Sequence, residues 1–126
     1  MKEEPLLALG KEELISLAAE TRFAPNGIVS RTVFSSPSAR VVLFGFAPGQ
    51  ELTEHTSTQH AIIQILSGEC EFSLAGKPQI VKAGELIYMP PHLPHAVKAT
   101  TPFSMLLTFS KPEVAATSGL NLNLTK

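Results

Sequence analysis

The chain has 126 residues, 44% hydrophobic and 17% charged, which is enough for one domain with a buried core. Ten basic and eleven acidic residues leave a net charge of −1, arguing against an electrostatic nucleic-acid binder. Ten prolines and eight glycines are dispersed along a weakly charged chain, excluding a disordered tract, a coiled coil and a collagen-like repeat. No stretch reaches the roughly 20 apolar residues that cross a bilayer. The acidic start, Glu3-Glu4-Pro5, is unlike a signal peptide. A single cysteine, Cys70, has no internal disulfide partner, so a reducing cytoplasm is the expected compartment.

Residues 1–26 read as an N-terminal arm. Within it, Lys11 to Glu20 spaces its leucines and isoleucine as a short amphipathic helix would, and an edge strand over Ile15 to Ala19 fits as well. From Gly27 the pattern changes to strands. Ile28–Phe34 is rich in β-branched residues and ends at the turn Ser35-Ser36-Pro37-Ser38. Arg40–Phe46 follows, closed by Ala47-Pro48-Gly49. Ala61–Leu66 and Glu69–Leu74 come next. In the latter, Cys70, Phe72 and Leu74 alternate with Glu69, Glu71 and Ser73, giving one wet and one buried side. Gln79–Lys82, Leu86–Met89, His95–Lys98 and Phe103–Phe109 complete a set of eight or nine short strands. Turns at this spacing, with no long helical pattern between strands, predict an all-β sandwich or barrel over residues 27–110. Residues 111–126 are a polar tail, open to reading as an extra strand, a partner-contacting arm or loose chain.

All four histidines, His55, His60, His92 and His95, fall within 41 residues of one another. Imidazole is the commonest metal ligand and titrates nearest neutrality, so the cluster is the first candidate site. Its punctuation repeats. Gly49 stands six positions before His55, and Gly84 stands six before Pro90, with His95 following in Pro90-Pro91-His92-Leu93-Pro94-His95.

This double pattern resembles the cupins, small double-stranded β-helix barrels of the jelly-roll type. Gly49, His55, Ser57, Ala61 and Gly68 stand in the register of the first cupin motif. Gly84, Pro90, His92, His95 and Ala99 stand in that of the second. The resemblance covers roughly Gly27 to Ser110 and implies a small-molecule site at the barrel mouth, in some members with Mn, Fe, Ni, Zn or Cu. In those members the metal is held by the histidines of a His-x-His, an acidic or amide side chain and the second-motif histidine. Here Ser57 and Ala61 replace two of these donors, leaving His55 and His95 in register.

His60 sits one residue before the lost ligand, but strand parity turns it away from the cavity unless a bulge or loop between Thr56 and Gln59 reverses the sense. Ser57 is a weak further donor. Gln59, His92 and Tyr88 are candidates for the pocket wall. His92 occupies a position where a tight-turn glycine is usual. Two readings stay open: a metal-dependent enzyme, such as a dioxygenase or isomerase, with a reduced His55/His95 centre, or a non-catalytic ligand-binding or sensing barrel that has lost its metal. The run Phe103–Phe109 is almost continuously apolar, which fits a strand covered on both faces. It calls for cover on its outer side, expected from a second copy in a homodimer.

Overall fold

The structure is a computed structural model and describes residues 4–113; residues 1–3, and the expected tail from 114 onward, lie outside it. Nine strands form two antiparallel sheets packed as a jelly roll. They are β1 (Ile28–Ser35), β2 (Ala39–Phe46), β3 (Glu51–His55), β4 (His60–Ser67), β5 (Glu69–Leu74), β6 (Lys77–Lys82), β7 (Leu86–Met89), β8 (His95–Ala99) and β9 (Phe103–Ser110). One sheet runs β1-β2-β9-β4-β7 and the other β3-β8-β5-β6. Among the described residues no helix is long and apolar enough to cross a membrane.

Alternation along each strand builds the core between the sheets. Ala61, Ile63 and Ile65 of β4 face inward, while Ile62 and Gln64 face out. Register pairs Ala61 with Phe109, Ile63 with Leu107 and Ile65 with Met105, so β4 and β9 present one continuous apolar surface. From the other sheet Cys70, Phe72, Val97 and Ala99 meet it. Away from the mouth, Phe46 stacks on Phe103 with ring centroids 4.5 Å apart, both fully buried. Cys70 belongs to this core: burial first, then the neighbouring Glu69, pushes its thiol up to about 12.

The motif glycines Gly49, Gly68 and Gly84 all adopt positive φ. At Gly68 the demand is double, because a β-carbon would also collide with the Pro102 carbonyl and lie 2.9 Å from Phe103 Cβ.

In the N-terminal arm the helix is a single turn, α1 (Leu17–Glu20), capped by Ser16, whose hydroxyl accepts from the Ala19 N–H at 3.2 Å. The arm lies along the outer face of the larger sheet. Leu6 and Leu7 donate backbone hydrogen bonds to Thr32 and Val33, and Arg31 reaches Glu20 at 3.0 Å. Gly45 leaves the room that Arg22 and Phe23 fill. The outer side of β9 is therefore covered in part from within the chain: Ser104 is buried beneath the arm, next to Leu17, Thr21 and Phe23. Over β4 and β7 the same face stays bare, with Ile62, Leu86 and Tyr88 exposed.

Candidate functional site

A cavity of about 460 Å³ opens between the sheets at the end where β3 and β8 meet the β4 and β9 strands. Its deep walls are Ile63, Phe72, Met89, Val97, Met105 and Leu107; Phe109 and Leu52 flank them. Thr56, Ser57 and Thr58 form a hydroxyl-bearing rim, and His55 and His95 supply the remaining polar surface.

The local chain path explains why His55 points in. β3 pairs with β8 through Leu52↔Val97 and His55↔His95, three steps on one strand against two on the other. That extra residue is a β-bulge. Strict alternation from Leu52 would turn Glu54 inward; the bulge gives that place to His55, directly opposite His95. The two rings meet edge to face with centroids 4.2 Å apart.

Both rings are oriented by the backbone two residues upstream. His55 Nδ1 lies 2.7 Å from the Thr53 carbonyl, and His95 Nδ1 lies 2.8 Å from the Leu93 carbonyl. A carbonyl only accepts, so each Nδ1 carries the proton and donates, and in the neutral ring each Nε2 keeps its lone pair. No buried side-chain nitrogen or oxygen among the described residues lacks a partner, so His95 Nε2 contacts the cavity rather than sealed core. His95 is 8% exposed and flanked by the near-parallel ring of Phe72. Burial, followed by neighbouring His55, holds its pKa below the ordinary 6.5, against an opposing pull from the Leu93 carbonyl.

The other sequence candidates take different places. Ser57 stands on the cavity rim, and its carbonyl accepts from the His92 N–H at 2.7 Å, tying the loop after β3 to the loop before β8. His92 has φ 70°, the left-handed conformation a turn glycine would take; its side chain is exposed and forms no part of the cavity wall. Gln59 donates its N–H to the Ser57 hydroxyl at 3.1 Å and does not line the cavity. Tyr88, read as a pocket candidate, stands on the outer face instead, because β7 turns Ile87 and Met89 inward. His60 joins it there. Its Nε2–H donates to Glu113 Oε1 at 3.2 Å, and Nδ1 accepts from the Tyr88 hydroxyl at 2.8 Å. The loop from Thr56 to Gln59 does not reverse its sense. Sequence reasoning had no particular reason to single out Met89, Met105 and Phe109 as wall residues, although the alternation of β7 and β9 carries that information.

A transition metal of the kind the motifs imply needs more than this donor set. Catalytic zinc sites use three protein ligands and structural ones four. No group of three or more His, Cys, Asp or Glu capable of holding a metal occurs among the described residues. Outside the described residues, Glu3 is the one residue of these types. Two imidazoles and a hydroxyl rim therefore do not fit a resident metal of that kind; they form a pair of hydrogen-bond acceptors at the edge of an apolar cavity.

Comparison with known proteins agrees with the fold. The family model for the cupin domain matches residues 42–109. A conserved protein of unknown function from Streptococcus pyogenes is 31% identical over 90% of this chain and 98% of its own, with a TM-score of 0.76. A cupin 2 conserved barrel domain protein from Leptotrichia buccalis is 34% identical over 77% of this chain and 47% of its own, with a TM-score of 0.73. A cupin superfamily protein from Desulfitobacterium hafniense shares the fold at 23% identity, covering 86% of this chain and all of its own, with a TM-score of 0.76. No curated protein matches. With the double motif, the jelly roll and the family match in agreement, the chain belongs to the cupin family.

Proposed function

We propose that this cupin binds a small organic molecule directly in the cavity, with His55 and His95 as its polar anchors rather than as a metal centre. The observation that carries the reading is the tautomer-fixed imidazole pair beside a largely apolar space of about 460 Å³, a size within the ordinary range of ligand sites. The test combines metal analysis of untagged protein with a fragment titration followed by amide NMR. Substoichiometric metal, with fragment-induced shifts at Phe72, Val97 and Met105, is the expected result. Stoichiometric transition metal that disappears in a His55→Ala/His95→Ala variant would overturn it.

One observation favours the second reading, a metal-dependent enzyme such as a dioxygenase or isomerase: the two Nε2 lone pairs belong to register-paired residues with adjacent rings. Such a centre would need its remaining ligands from substrate and solvent. The same metal analysis decides between the two.

The bare outer face of Ile62, Leu86 and Tyr88 supports assembly as a homodimer. A monomer mass in solution at micromolar concentration would count against that. The lone buried thiol of Cys70 is in keeping with a cytoplasmic setting.

A further inference from the structure

The chemistry of the cavity wall restricts what can occupy it. None of the lining residues is Asp, Glu, Lys or Arg. A carboxylate or phosphate bound there would leave water for walls of Ile63, Phe72 and Leu107 without meeting a cation, a transfer that costs several kcal/mol when unpaired. A sugar fares little better, since hydroxyls around its ring would face apolar side chains and lose their hydrogen bonds to water.

What the wall does offer is specific. Nδ1 of each histidine is committed to a backbone carbonyl, so the two Nε2 atoms accept and do not donate while the rings are neutral. Around them, Phe72, Phe109, Met89 and Met105 provide aromatic faces and polarisable sulfur, both favourable against an aromatic ring. Resting on the reading that the cavity binds an organic molecule, we infer that it selects an uncharged aromatic compound with one hydrogen-bond donor, of the phenol class, whose hydroxyl donates to Nε2 of His55 or His95.

Three probes of matched shape test this: para-propylphenol, its methyl ether para-propylanisole, and para-propylbenzoate, each titrated calorimetrically into the untagged protein near neutral pH. The phenol is expected to bind about five- to tenfold more tightly than the ether, the ratio one buried hydrogen bond supplies. The benzoate is expected to be weakest. In a His55→Leu/His95→Leu variant the preference for phenol over ether should vanish. Equal affinity of phenol and ether for the natural protein would overturn the ligand class while leaving cavity binding intact, and so would tightest binding by the benzoate. Failure of all three to bind would overturn the class and the cavity-binding reading together.

Discussion

Protonating His95 is the perturbation that most directly probes the site. The ring is 8% exposed, lies against Phe72, and faces a second imidazole 4.2 Å away, so the folded protein resists placing a charge there. Its pKa is accordingly below the ordinary 6.5 in the folded state, chiefly through burial. In the unfolded chain the ring titrates normally. Above that ordinary value both states hold it neutral and His95 adds no pH dependence. Below it the unfolded chain takes up the proton first, so stability falls with pH until the folded-state pKa is passed, and then levels off. Within that window the slope is at most about 1.4 kcal/mol per pH unit, the limit set by one proton. For a domain of this size, each kcal/mol corresponds to roughly 3–5 °C in Tm. Thermal melts by circular dichroism between about pH 8 and about pH 5, on the natural protein and a His95→Gln variant, isolate the effect, because their common carboxylates and other histidines cancel largely in the difference. The natural protein should lose stability relative to the variant on acidification. A flat difference, or one with the opposite slope, would refute the claim that His95 is held neutral, and with it the claim that its Nε2 serves as an acceptor.

Other perturbations separate the arm, the outer face and the lost donors. Gly45→Val places side-chain atoms where Arg22 and Phe23 now pack, so the arm should lift at a cost of about 1–3 kcal/mol and trypsin should cut after Arg22; protection equal to the natural protein would refute the packing described. His60→Ala breaks contacts on an exposed face only, with an expected change under about 1 kcal/mol by chemical denaturation and no change in fragment shifts at Phe72 or Val97. Ser57→His with Ala61→Glu restores the donors that the family motif supplies. That double variant should bind zinc stoichiometrically by metal analysis and recover on zinc addition a Tm lost in the apo form, where the introduced carboxylate is buried unpaired; an apo form as stable as the natural protein, indifferent to zinc, would show that position 61 does not face the centre.

Several strands are legible because they alternate: β4 buries Ala61, Ile63 and Ile65 between exposed or half-buried neighbours and β5 buries Cys70 and Phe72 between half-buried ones, so the sequence alone turns Ala61 inward and His60 outward. β3 is not legible. Four of its five residues are exposed, Leu52 is its one aliphatic residue, and its bulge breaks the period that would mark it as a strand. Tyr88 illustrates a different difficulty. Closeness to the second motif suggested the pocket, whereas the parity shared with Leu86 assigns it to the outside. The arm's cover over β9 was hidden too, since a sequence shows that an apolar face needs a partner but not whether that partner is the same chain. Nor could the tautomers be read, because they depend on where the carbonyls of Thr53 and Leu93 point.

The replacements at Ser57 and Ala61 and the apolar wall form one consistent arrangement. Ala61 is 1% exposed and pairs with Met89 on one side and Phe109 on the other. A carboxylate in that position would need a cation to be tolerated, and without one it would shift its pKa or destabilise the fold. Alanine removes the demand for a cation, and the surrounding side chains carry no charge that a metal would have balanced. Yet the bulge in β3 and the two backbone carbonyls still hold His55 and His95 in fixed tautomers, as metal-ligating histidines commonly are by their second nitrogen. With the other donors replaced, the same fixed lone pairs meet whatever hydrogen-bond donor enters an apolar space. Geometry suited to holding a cation thus becomes geometry suited to reading a single hydroxyl.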